Sequence, residues 1–261
     1  MVSKHNLATI VFLIFFFTVT RAQQSPFLFT LVPPDQADSR IVVHYDAAYG
    51  RETFEPLGGD NLEQTLGIRA RLSTSVILSG RLGFANNNIS TLSSQRVELL
   101  VQAMDSDDGL VDVSLGPGFR HEYSGTNVLL GRIIVGRRFS SWQVYGNLLL
   151  EKPFNVDRDD VDLVLTAGWS YSVSSTIRLG IEAVGQDLEG FWDENEAEGG
   201  ATLFIGPTMV AAIPETSWTL ILGAGPILRA TRSSRTSSAL RDLPFSRGNG
   251  FVLHAAVNLG L

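Results

Sequence analysis

The chain has 261 residues, of which 44% are hydrophobic and only 18% charged, and it has no cysteine. That excludes disulfides, cysteine-ligated metal, a cysteine nucleophile and lipid attachment through an N-terminal cysteine. The net charge of −7 excludes a general nucleic-acid binder, and past the N-terminus no run of about 18 apolar residues marks a membrane-spanning helix.

Residues 1–22 are read as a secretory leader. Lys4 supplies the positive start, 7–19 the apolar core, and Thr20 and Ala22 the small residues before a cut between Ala22 and Gln23. The apolar core falls short of the roughly 20 residues that span a bilayer, so cleavage is expected rather than anchoring. Residues 23–38, with Pro33-Pro34, are expected as a periplasmic N-terminal segment, the sequence leaving open whether it plugs the lumen, and 39–261 as one β-domain.

Within that domain the period is two. Every second residue is apolar over 41–49, 66–72, 76–84, 97–103, 111–119, 129–135, 142–150, 161–171, 177–183, 201–211, 218–228 and 251–261. These rows predict twelve strands in chain order, the sixth the least clear. No charged residue stands in any of the rows. The interleaved rows hold His44, Asp46, Arg69, Arg71, Arg81, Arg96, Glu98, Asp112, Arg120, Arg132, Asp162, Arg178, Glu182, Arg229 and His254.

A soluble sandwich and a membrane barrel share this alternation, with opposite faces inward. Three features select the barrel. The connections alternate between short ones, such as Ser73-Thr74-Ser75 and 138–141, and longer ones at 52–61, 85–94, 152–160, 186–200 and 231–248, with 121–126 the short exception, as periplasmic turns and extracellular loops do. Aromatics stand at the strand ends on the apolar side, Trp142, Trp169, Tyr171 and Trp218 at one edge and Tyr49, Phe84, Tyr123 and Phe251 at the other, which is where two lipid–water interfaces place them. The chain also runs in strand pattern to Leu261. The expectation is an all-β fold: a closed antiparallel transmembrane β-barrel of about 12 strands in a bacterial outer membrane.

This last strand resembles the closing strand of outer-membrane barrels, which implies recognition by the barrel insertion machinery, although their usual final residue is aromatic. The runs Leu179-Gly180-Ile181-Glu182-Ala183, Ile205-Gly206-Pro207-Thr208 and Gly223-Ala224-Gly225-Pro226 are similar to a loose group of poorly characterised outer-membrane barrels. That resemblance implies an association with uptake of aromatic compounds. Gly-Pro pairs at 116–117, 206–207 and 225–226 fall inside strands, where proline lacks the N–H of a ladder, and are expected as β-bulges.

A twelve-stranded wall encloses a narrow lumen. Arg69, Arg71, Arg81, Arg120, Arg132, Arg178 and Arg229 are expected to line it, with Asp112, Asp162 and Glu182 as counter-charges. Inward arginines that are not all neutralised attract anions, so the expected function is passive passage of small polar or anionic solutes. The alternative is a non-conducting barrel displaying its outer loops, acidic over 186–200 and basic over 231–248, for binding, adhesion or envelope integrity. No nucleophile motif, phosphate loop or zinc spacing is present, so no catalysis, cofactor or metal is expected. The expected partners are outer-membrane lipid, lipopolysaccharide, the insertion machinery and an unidentified small solute.

Overall fold

The structure is a computed structural model that describes residues 25–36, 39–50, 61–87, 90–106, 110–122, 125–154, 161–191, 201–230 and 249–261. The leader, Tyr123, residues 192–200 of the acidic loop and all of the basic loop 231–248 lie outside the described residues.

Twelve antiparallel strands close on themselves in chain order, the first pairing with the last. They are β1 (Ile41–Gly50), β2 (Asn61–Ser73), β3 (Val76–Asn87), β4 (Ser90–Met104), β5 (Asp112–His121) and β6 (Asn127–Arg138), then β7 (Trp142–Pro153), β8 (Asp162–Ser172), β9 (Ile177–Gln186), β10 (Ala201–Ala212), β11 (Trp218–Ala230) and β12 (Gly250–Gly260). At 10 to 15 residues, every strand can cross a bilayer core. Closure removes the free edges that an open sheet would expose, and the seam is held by a continuous β1–β12 register from Val42↔Gly260 to Gly50↔Val252.

The two faces of each strand differ as the alternation predicts. Leu66, Ile68, Leu82, Val97, Phe119, Leu179, Ile205 and Leu253 point out and are exposed. Asp46, Glu98, Asp112, Arg120, Arg132, Glu151, Glu182 and His254 point in and are buried. An exposed apolar band over a buried charged interior is unstable in water and fits hydrocarbon outside, so the fold is a transmembrane β-barrel.

The structure departs from the sequence expectation in two places. The connection expected over 85–94 is a hairpin, because β3 runs on to Asn87 and β4 starts at Ser90. Its residues are mostly polar, and a ladder bonded through the backbone continues without an apolar face. The Gly-Pro pairs are not bulges. Register is unbroken across Gly116-Pro117 on β6, Gly206-Pro207 on β9 and Gly225-Pro226 on β12. On the other side the pairing lapses and resumes in the same register, as between Phe204↔Ile227 and Thr208↔Gly223. There the backbones close in: a Cβ on Gly206 would overlap the Ala224 carbonyl oxygen, and one on Gly225 the Ile205 carbonyl oxygen. Proline drops the bond and glycine admits the neighbour, so no extra residue is inserted.

The lumen is filled in part by the chain itself. Residues 25–36 lie within the barrel wall. Phe27 and Val32 pack with Ile77, Leu100, Ile134 and Tyr145, and Leu28 with Val210, Ile221 and Ala256. The segment ends in a short 3-10 turn, Pro34–Gln36, where the Asp35 N–H donates to Gln102 on β4.

Candidate functional site

The lumen has two unlike sides. From β6 round to β1 the inner wall carries an apolar layer: Val128, Leu130, Leu149, Val164, Val184, Phe204, Ile227, Val252 and Ala48. From β2 to β5 it carries arginines. Register sets Arg81, Arg96 and Arg120 directly opposite one another on β3, β4 and β5. Like charges so placed repel. A carboxyl group therefore stands beside each: Asp46 at 2.9 Å from Arg81, Glu98 at 2.7 Å from Arg96, and Glu151 at 2.8 Å from Arg120.

Glu98 serves a second cation, accepting from Arg132 Nε at 2.8 Å, while Arg132 also donates to Asn147 Oδ1 at 3.3 Å. Asp46 is shared as well. His44 Nε2 lies 2.8 Å from one of its oxygens and His254 Nε2 3.3 Å from the other. Since His44 is on β1 and His254 on β12, this cluster straddles the seam. Two carboxyl groups thus hold a network of three arginines and two histidines, and buried groups of this kind are stable only when paired.

Arg69, Arg81, Arg96 and Arg132 border a cavity of about 100 Å³. Glu98 and His44 share that border, and Phe27, Phe29, Leu31 and Val32 close the opposite flank. The cavity is therefore basic on one side and apolar on the other.

The remaining residues that the sequence pointed to are spread along the lumen. Arg120 sits where β5 ends, and Glu151, which the sequence reading did not single out, where the β7–β8 loop begins. Arg71 and Arg178 lie beside the short turns, Arg178 Nε donating to Ser172 Oγ at 3.2 Å. Arg229 is near the end of β11. The three expected counter-charges divide differently. Asp112 accepts from the Ser106 N–H and the Tyr145 hydroxyl, both at 2.8 Å. Asp162 is buried in register with Glu151. Glu182, fully buried, accepts from the backbone N–H groups of Leu28 at 2.8 Å, Phe29 at 3.1 Å and Thr30 at 2.9 Å.

Sequence reasoning placed Arg96 and Glu98 on the inner face without singling them out, and they stand at the centre of the network. The signal was their spacing: an arginine and a glutamate two residues apart on one strand reach the same neighbours. The aromatics Trp142, Trp169, Tyr171 and Trp218 point outward beside the short turns, and Tyr49, Phe84 and Phe251 outward beside the opposite ends.

No protein-family model matches the chain, and no curated protein matches it. Solved structures do. A KdgM porin in complex with disordered oligogalacturonate is 13% identical, with a TM-score of 0.56 over 84% of this chain and 99% of that one. A Pseudomonas aeruginosa FadL homologue is 8% identical, with a TM-score of 0.49 over 92% and 96%. LpxR from Salmonella typhimurium is 10% identical, with a TM-score of 0.45 over 84% and 100%. The chain has the fold of the bacterial outer-membrane β-barrels.

Proposed function

We propose that the chain is an outer-membrane barrel through which small polar solutes, anions above all, pass by passive diffusion along the β2–β5 side of the lumen. The observation that carries this is the row of Arg81, Arg96 and Arg120 across three adjacent strands, with Arg69 and Arg132 beside it on one cavity. Rings and rows of arginine favour anions, and a guanidinium can hand a carboxylate to its neighbour without losing its own charge. The KdgM porin was solved with an oligogalacturonate, an acidic saccharide, which belongs to the same charge class.

A leader over 1–22 would deliver the chain to the envelope, and the insertion machinery would receive its last strand. The exposed apolar band would then meet outer-membrane lipid, with lipopolysaccharide around the loop end.

The test is the reversal potential of reconstituted single channels under a salt gradient. A chloride preference is expected, and Arg96→Ala should reduce it. A potassium preference would overturn the reading. A panel of hydrophilic and aryl carboxylates, scored by relief of anion current, orders the solutes and covers the resemblance to aromatic-uptake barrels. The filled lumen favours a second reading, a non-conducting barrel that displays its loops. Absence of current from both the parent chain and variants that loosen residues 25–36 would establish that reading instead.

A further inference from the structure

We propose that the lumen wall contains a receptor groove for an extended peptide, that residues 27–32 of the same chain fill it, and that Glu182 and Asn147 are the latch that keeps the barrel closed. The inference rests on the passive-channel reading above and adds how the channel is shut.

The groove is built in the wall. Register sets Glu182 on β9 between Gly168 on β8 and Gly206 on β10, so one carboxyl group stands in a strip with no side chain on either side. Its two oxygens meet three successive backbone N–H groups, of Leu28, Phe29 and Thr30. Two strands over, on β7, the Asn147 side-chain amide accepts from the Leu31 N–H at 2.8 Å and donates to the Leu31 carbonyl at 3.0 Å. That two-point pairing is what a neighbouring strand would offer. Four consecutive backbone donors buried in a membrane barrel must be satisfied by something, and two inward polar side chains do it.

The side-chain hollows match the same segment. A Cβ on Gly168 would stand 2.6 Å from the Phe27 ring, and one on Gly223 2.5 Å from Leu28 Cδ1, so a larger residue pushes on the ring at the first position and turns the leucine tip aside at the second. Phe29 packs edge-on against both Phe204 and His254, with ring centroids 5.3 and 5.1 Å away. The backbone is read by a carboxyl group and an amide, and the side chains by two glycine hollows and an aromatic pair. None of these contacts closes the barrel wall, since each strand already pairs with its neighbours. The segment also flanks the cavity that the arginines border, so its departure widens the basic path.

The sequence has no cysteine, which allows a direct test. Thr30 is buried, and Thr30→Cys gives one thiol inside the groove. In reconstituted protein a small membrane-impermeant maleimide should modify this thiol slowly. Adding Glu182→Ala should speed modification about tenfold or more, because the lost acceptor leaves buried N–H groups unpaired. The same variant should raise the open probability in planar bilayers. Asn147→Leu should do both to a smaller degree, which keeps the test sound if Glu182→Ala does not fold. Heat-modifiable gel mobility checks that each variant still closes.

A thiol that reacts as fast in the parent as in the urea-unfolded chain would overturn the proposal, and so would faster modification with no change in current. If current appears on release but prefers potassium, the latch stands and the anion reading falls.

Discussion

Glu98 has arginines on two sides and almost no contact with solvent, so its two oxygens are committed to Arg96 and Arg132. Removing one member of a buried network costs more than the pair contributed, because the cations stay behind undischarged. Glu98→Ala should therefore lower the unfolding free energy by about 3 kcal/mol, read from guanidinium titrations in lipid vesicles. It should also shift the reversal potential further toward chloride, since two inward guanidinium groups lose their counter-charge. Asp46 makes the corresponding contribution across the seam, where it meets His44, His254 and Arg81. Asp46→Asn should lower the temperature at which the barrel changes from its fast-migrating to its slow-migrating gel form, while leaving Glu98-dependent selectivity in place.

Among the elements, β10 and β11 show how strands with Gly-Pro pairs stay in step. Gly206→Ala or Gly225→Ala puts a methyl group onto a neighbouring carbonyl oxygen, and overpacking of this kind costs about 1–3 kcal/mol. Heat-modifiable mobility measured at stepped temperatures should show the loss for each variant. β6 explains what the sequence made legible and what it left obscure. Its outward row, Leu129, Gly131, Ile133 and Val135, is the least clear of the twelve because its inward row, Arg132 aside, is largely apolar too: Val128, Leu130 and Ile134 are buried. The same holds for Ile77 on β3 and Leu100 on β4. Period two finds strands from contrast between faces, and contrast fails where both faces meet apolar matter, lipid on one side and the inner segment on the other. The matching signal was in the sequence as Phe27-Leu28-Phe29-Thr30-Leu31-Val32, too apolar for a lead that stays in water. The arginine rows were legible by parity. Their division into a basic side and an apolar side needed the register, which joins residues far apart in sequence, such as Arg81 with Arg96 and Arg96 with Arg120.

The whole molecule is apolar on the outside, charged on part of its inside, and ringed by aromatics at both ends. Trp142, Trp169 and Trp218 share one rim. With Trp192→Phe removing the remaining tryptophan, fluorescence in brominated-lipid vesicles should be quenched most strongly by bromine near the headgroups. Equal or greater quenching by bromine at the acyl-chain ends would place the rim at the bilayer centre and contradict the girdle.

Because Phe29 leans on His254, and His254 reaches Asp46 on the strand that meets β12, the inner segment touches the place where the ring is completed. A shift of the inner segment is therefore felt at the seam itself, where the first and last strands meet. Stopper and zip thus share one line of contact, and a substitution in Phe29 or in His254 is expected to disturb both at once.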